Sequence, residues 1–215
     1  MVTSASRLLG RMFQLISAAM QAEKDHLSDL DGAIGDADHG ITMALGFAAV
    51  TSAINKLEID RMPPSDVLLT AANAFLDAVG ASTGPLYASA FRKAADALKH
   101  DEHLSQKGQV AMLEAIAQGI RDRGKGQRGD KTMLDAWIPA AEAAVGAHEK
   151  AMSVADMWQA IVLAAETGAA STRSMVATKG RAARLGERSL GHTDPGAASA
   201  VAILHAMRET FAGKL

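Results

Sequence analysis

Residues Val154-Ala-Asp-Met157-Trp158-Gln-Ala-Ile161-Val162-Leu-Ala-Ala165 place apolar side chains at offsets of three, four, seven, eight and eleven from Val154. Those offsets follow the 3.6-residue turn of an α-helix, so Val154, Met157, Trp158, Ile161, Val162 and Ala165 form a single buried stripe. The same spacing recurs at Val110, Leu113, Ile116, Ala117 and Ile120, and again at Leu8, Met12, Leu15, Ile16 and Ala19. Alternating runs of Val, Ile and Thr, the mark of a half-buried strand, do not occur. The pattern predicts an all-α protein.

Periodicity lapses, or Gly, Pro, Asp, Asn and Ser gather, at 29–40, 60–65, 80–84, 100–104, 124–130, 149–153 and 179–195. Seven breaks leave eight helices, and connections this short favour antiparallel neighbours in an up-and-down bundle or barrel. No linker rich in Pro, Gly or Ser divides the 215 residues, so residues 1–215 are read as a single domain. Abundant Ala allows close helix packing, and eleven Met can fill an uneven interior.

Composition narrows the function classes. The absence of Cys excludes a disulfide framework and a thiolate metal site, and the start Met-Val-Thr-Ser-Ala-Ser-Arg lacks a signal peptide's apolar run, which predicts a cytoplasmic protein. Apolar runs end well before the roughly 18 residues of a membrane span. A formal charge of -2 with one Tyr and two Trp argues against nucleic-acid binding. Lys179, Arg181, Arg184 and Arg188 read as a solvated helix end.

The stretch Asp31-Gly-Ala-Ile-Gly-Asp36-Ala-Asp38-His39-Gly40 crowds three carboxylates, three glycines and a histidine into ten positions. On a continuous helix Asp31 and Asp38 would lie within about 20° of each other while Asp36 pointed away, so a helix does not converge all three. Gly32, Gly35 and Gly40 permit a tight turn at positive φ in which the carboxylates can meet. Like charges held together call for a cation. Ligands that are all oxygen call for a hard one, best Mg2+ with octahedral geometry at about 2.0–2.1 Å. An EF-hand does not fit, because counting Asp36 as position one puts Phe47 at position twelve, where a bidentate Glu belongs. For Asp38 alone the alternative is a cap on a helix opening at Ile41. His39 is either a surface turn residue or a donor to a phosphate at that helix start.

Val79-Gly-Ala-Ser-Thr-Gly-Pro85, ahead of a helix beginning near Leu86, concentrates hydroxyls and amides in a turn that can hold an anion or simply connect helices. Gly191-His-Thr-Asp-Pro-Gly196 precedes the last helix in the same way, with Asp194 as its cap. Gly124-Lys-Gly-Gln-Arg-Gly129-Asp-Lys-Thr132 is not a P-loop: Asp130 separates the second Gly of that motif from its Lys, and no strand precedes it.

Taken in order, the acidic stretch, Gly80-Ala-Ser-Thr-Gly-Pro-Leu-Tyr87, Arg123-Gly-Lys-Gly-Gln-Arg-Gly-Asp-Lys-Thr-Met133 and Lys179-Gly-Arg-Ala-Ala-Arg-Leu-Gly-Glu-Arg-Ser-Leu-Gly-His-Thr-Asp-Pro-Gly-Ala197 closely resemble the nucleotide-binding L subunit of dihydroxyacetone kinase. The resemblance spans nearly the whole chain. It implies an eight-helix antiparallel barrel with ADP or ATP at one rim, and Asp31, Asp36 and Asp38 holding a pair of Mg2+ ions on the phosphates. It further implies that His39, Gly40, Ile41, Thr42, Ser82 and Thr83 line the phosphates, while Gly124, Met133, Arg181, Asp194, Pro195 and Gly196 hold the rest of the nucleotide. An apolar Met133 suits an adenine face; its alternative role is core packing. Ala81 and Ala88 depart from the glycines common in the family, which narrows backbone approach near the phosphates or the partner surface.

By the same resemblance the ketose is bound covalently through a histidine of a separate K subunit, and this chain donates phosphate across an interface. The donor is either ADP kept as a coenzyme and recharged by a phosphoenolpyruvate-dependent phosphotransferase protein, the M subunit, or ATP exchanging at each turnover. Dihydroxyacetone and a tetrulose such as erythrulose both remain as substrates, since the sugar would be read by the partner. A homodimer is compatible with these residues and not required by them. The reading from another class is a helical carrier or scaffold enclosing a lipid-like ligand, with the acidic loop structural.

Overall fold

The structure, a computed structural model, describes residues 4–101 and 103–213; Met1, Val2 and Thr3 of the amino-terminal segment read above lie outside it. Among the described residues the chain is all-α, without strand. Its helices are α1 (Ala5–Ala22), α2 (Lys24–Ile34), α3 (His39–Ile54), α4 (Pro64–Ala78), α5 (Thr83–Ala97), α6 (Gln106–Gly124), α7 (Leu134–Glu149), α8 (Val154–Ser171) and α9 (Pro195–Ala212). Serines at positions 4, 105 and 153 cap α1, α6 and α8, their hydroxyls accepting from the amides of Arg7, Gly108 and Asp156. Each such cap satisfies a donor that the helix leaves unpaired.

Eight of these helices, α1 and α3 to α9, close a ring in which each packs on the next and α9 returns to α1. The first residues of α3, α5, α7 and α9 line one cavity together with Gly124, the last residue of α6. Alternate helices therefore point the same way, which is the antiparallel barrel that the short connections predict. The ninth helix, α2, lies outside the ring and packs across its rim on α3 and α9.

Helix α2 is a departure from the predicted break at 29–40, since only 35–38 are non-helical there. Leu27, Leu30 and Ile34 carry a short helical stripe, and Leu27 and Ile34 are buried. Glycines and aspartates between them mask it in the sequence. In α1 the buried stripe is Leu9, Met12, Phe13, Ile16 and Met20, while Leu8, Leu15 and Ala19 are only half-buried. That register differs from the predicted one because α1 is flanked by both α3 and α9. The stripes of α6 and α8 are buried as predicted, apart from a half-buried Val154.

Five rings from four helices fill one part of the barrel: Phe13 meets Phe91 edge-on at 5.4 Å and Phe47 meets Phe75 at 5.1 Å, with Tyr87 against Phe75 at 5.4 Å. Each buried ring of this size contributes about 1.5–3 kcal/mol. Small residues set the helix spacing: a β-carbon on Gly119 of α6 would stand 2.6 Å from the Ala90 backbone of α5. No helix among the described residues is long and apolar enough to cross a membrane.

The chain between α8 and α9 is irregular over 172–194, with 3-10 turns at Thr172–Ser174 and Ala182–Ser189 and a break at Gly186, φ 56°. Lys179, Arg181, Arg184 and Arg188 therefore sit on an excursion from the barrel and not on a helix end, because no continuous apolar stripe runs through them.

Candidate functional site

Asp31 stands in the last turn of α2, Asp36 in the turn that follows and Asp38 immediately before α3. Oxygen atoms of the three carboxylates all lie within 4.8 Å of one another, with Asp31 and Asp38 half-buried and Asp36 exposed. The convergence does not use glycine in the way predicted. None of Gly32, Gly35 and Gly40 has positive φ; Ala37 takes the left-handed conformation at φ 63° and swings Asp36 and Asp38 to one side. Gly35 has a different part, since a β-carbon there would meet Oδ1 and Cγ of Asp31.

Asp38 makes no side-chain cap on α3, which begins at His39 and not at Ile41. Asp31 takes that role, its Oδ2 accepting from the amides of Asp38 at 3.0 Å and His39 at 3.2 Å. Burial, reinforced by the charge of Asp31, raises Asp38 above the ordinary carboxylate range. Arg181 from the 172–194 excursion pairs with Asp36 and lies 3.6 Å from Asp38. Its guanidinium supplies part of the positive charge that three converging carboxylates require. A hard-donor set of this kind, already attracting one cation, fits Mg2+.

The carboxylates form one side of a cavity of about 570 Å3. Asp31, Asp36, Asp38, His39 and Thr42 line it from α2 and α3; Ser82 and Thr83 from the start of α5; Gly124 and Met133 from the α6–α7 connection; Arg181 from the excursion; and Asp194, Pro195 and Gly196 from the start of α9. Gly40 and Ile41 do not line it. Gly40 faces α2, where a β-carbon would collide with the Lys24 carbonyl, and Ile41 points outward with half its surface exposed. Ala81, just ahead of α5, lies on the cavity wall, whereas Ala88, within α5, is buried and does not line it.

The starts of α3, α5, α7 and α9 border this cavity, each carrying roughly half a positive charge. At α3 the Asp38 and His39 amides are already held by Asp31, and at α9 the Ala197 amide by Asp194. Helix α5 begins at Thr83, earlier than predicted, so Pro85 falls within its first turn, where no amide is needed for the ladder. The Thr83 hydroxyl is buried and has no hydrogen-bond partner. An unpaired donor beside free helix amides fits an oxyanion such as phosphate.

The floor is polar. His39 is 8% exposed, so it is not a surface turn residue, and its Nε2 lies 2.9 Å from the Ser199 hydroxyl. Burial, against the opposing charge of Asp31, lowers His39 to about 4, so the ring is neutral at pH 7. Asp194 caps α9 as predicted, accepting from the Ala197 amide at 2.7 Å. Burial raises its carboxyl to about 7 despite that bond. Met133 is both core and cavity wall at 7% exposure. Lys131, Thr132, Leu134 and Lys179 also line the cavity. Their local spacing carries no signal for it; only their place in or directly after the block from Gly124 to Met133, or beside Arg181, does.

The DAK2 domain matches residues 33–209, and the chain belongs to that family. Among its relatives is the "PEP-dependent dihydroxyacetone kinase 1, ADP-binding subunit DhaL" of Listeria innocua, 41% identical over 89% of each chain. The corresponding ADP-binding subunit of Escherichia coli is 39% identical over 82% of this chain and 83% of its own. L-Erythrulose 1-kinase of Mycolicibacterium smegmatis is 32% identical over 92% of this chain, which spans 34% of that protein. Among solved structures, the dihydroxyacetone kinase of C. freundii superposes with a TM-score of 0.73 at 24% identity, covering 97% of this chain and 36% of that one. That likeness concerns the fold.

Proposed function

We propose that this chain is the nucleotide-binding, phosphoryl-donating subunit of a dihydroxyacetone kinase, acting as a single domain with a ketose-holding K subunit. The observation that carries the reading is the meeting of Asp31, Asp36 and Asp38 within 4.8 Å on a cavity ringed by helix starts. Asp31, Asp36 and Asp38 would hold Mg2+, which when bound neutralises phosphate charge. The amides opening α5, which carries no side-chain cap, would take the phosphate oxygens together with the Ser82 and Thr83 hydroxyls, and Met133 would pack against the base. Arg181, at the mouth, adds a positive charge where negative charge develops as the phosphoanhydride bond breaks and a phosphate ester forms on the acceptor hydroxyl. Phosphoryl transfer asks mainly for such positioning and neutralisation, and no side chain of this protein need act as nucleophile.

The relatives matched along most of their length are named as ADP-binding subunits of kinases dependent on phosphoenolpyruvate, which supports ADP as a retained coenzyme recharged by a phosphotransferase-system M subunit. The erythrulose kinases are matched over about a third of theirs, and support the tetrulose alternative less. Titration calorimetry with ADP, with and without Mg2+, tests the reading: affinity should depend on the metal. Asp36→Asn should abolish phosphotransfer to the ketose while far-UV helicity stays at the wild-type level. Metal-independent ADP binding, or wild-type turnover in that variant, would remove the metal role.

A further inference from the structure

The lysine that fails the P-loop spacing has a different post in the structure. Lys131 takes φ 59°, a left-handed conformation uncommon in residues with a β-carbon, and is 1% exposed. The carboxylate of Asp135 fixes that turn from both sides, accepting from the amides of Gly129 at 2.6 Å and Thr132 at 2.8 Å. The ammonium of Lys131 is thereby aimed inward, where it donates to the carbonyls of Thr172, at 2.6 Å, and His192.

Those two carbonyls stand at opposite ends of the 172–194 excursion. Between them the chain carries Arg181 to the acidic cluster, and just beyond them it enters α9 through Asp194. The excursion has another fastening to the same turn, the Thr178 hydroxyl donating to Asp130 at 2.6 Å. Its two ends also meet each other directly, the Asp194 amide donating to the Thr172 hydroxyl at 2.9 Å and the Gly191 amide to the Arg173 carbonyl at 2.7 Å. Lys131 is, among the described residues, the side chain of the α6–α7 turn that bonds both ends of the excursion. Burying an ammonium on neutral carbonyls is costly, and the nearby charges of Asp194 and Asp135 offset part of that cost. An apolar side chain of similar length would fill the space with less desolvation but would offer no donor.

We propose that Lys131 is a positioning residue, clamping both ends of the 172–194 loop to the α6–α7 turn and so holding the nucleotide cavity in its binding-competent shape. This rests on the reading of the cavity as a nucleotide site. The geometry accounts for a cavity whose walls come from segments far apart in the chain yet need a fixed separation.

Two measurements on the full chain test it. In calorimetry with ADP and Mg2+, well below the melting temperature, Lys131→Met should raise the dissociation constant about tenfold, as expected if only a minor fraction of unclamped molecules keeps the cavity closed. Lys131→Arg, which retains charge and donors, should stay within about threefold of wild type. In hydrogen exchange without nucleotide, amides of 175–192 should exchange faster in K131M while those of α4 and α5 keep wild-type protection. A space-filling role alone would leave both readouts unmoved, and unchanged exchange over 175–192 in K131M overturns the clamp. Should the wild type itself fail to bind ADP, the nucleotide reading falls and the exchange result still judges the clamp. If K131M loses helicity, Lys131→Gln, with one neutral donor head, replaces it: intermediate protection supports the clamp and wild-type protection overturns it.

Discussion

Asp31 accepts from the backbone amide of His39 at 3.2 Å, so the last turn of α2 caps the first turn of α3. One carboxylate thus serves two ends: Oδ2 closes the helix start, and the group also belongs to the acidic cluster. Asp31→Ala removes both. Loss of a cap costs about 0.5–2 kcal/mol. Asp31→Asn keeps an oxygen acceptor for the amides but removes the charge. Thermal melts should therefore place D31N near wild type and D31A below it, while both lose metal-dependent ADP affinity in calorimetry.

The two glycines flanking this corner should respond in opposite directions. A β-carbon at Gly35 would press on Oδ1 and Cγ of Asp31, whereas one at Gly32 would make only a 3.4 Å contact with the Ala37 methyl. Gly35→Ala is expected to cost about 1–3 kcal/mol through overpacking and to weaken metal-dependent ADP binding by moving Asp31. Gly32→Ala, inside α2, should raise stability by up to about 1 kcal/mol with affinity unchanged. Denaturant melts and calorimetry on the pair separate local strain from general loop damage; equal behaviour of the two variants would contradict this geometry.

Asp194 makes stability depend on pH in a way its amide counterpart should not. Its carboxyl is raised to about 7 from an ordinary 3.8, so between those values the folded protein holds a proton that the unfolded chain has released. The contribution of this group is therefore fully present below pH 3.8 and lost as pH rises through 7. Asp194→Asn keeps an acceptor for the Ala197 amide but cannot ionise. With chelator present, the melting temperature of D194N minus that of wild type should grow more positive from about pH 4 to pH 7 and level off above. A difference that is flat over that range would mean Asp194 is ionised in the folded protein.

Repeating side-chain spacing makes much of this architecture legible, and long-range contact limits the rest. The stripes of α6 and α8 recur over about three turns and can be read directly, because periodicity depends only on neighbours along the chain. Helix α2 hides because its stripe is three residues long and interrupted by Asp29, Asp31 and Gly32. The gathering of Asp31, Asp36 and Asp38 is visible as crowded charge, yet the residue that turns the chain there is Ala37, whose left-handed φ no composition rule singles out. Gly40 shows the same limit: its need for no side chain comes from the Lys24 carbonyl across the helix crossing, not from the cavity. Lys131 is furthest from legibility, since its partner Thr172 lies 41 positions away.

Ile41 and Leu45 lie one turn apart on α3, 51% and 59% exposed, beside the cavity-lining His39 and Thr42. Large apolar side chains on an outward face next to a site are where a partner most gains by covering them. In the proposed reaction the acceptor hydroxyl is carried by the K subunit, so that subunit must approach this mouth. Ile41→Glu with Leu45→Glu leaves the barrel interior and the cavity walls intact, because neither side chain enters them. The double variant should bind ADP with Mg2+ as wild type does and melt within about 1 kcal/mol of it, since exposed substitutions cost little. Its affinity for the K subunit, read by biolayer interferometry, should fall at least about tenfold, with phosphotransfer falling in parallel at subsaturating partner. If association is unchanged, K-subunit docking does not depend on these two side chains; if ADP affinity drops as well, Ile41 and Leu45 support the cavity and are not a docking face.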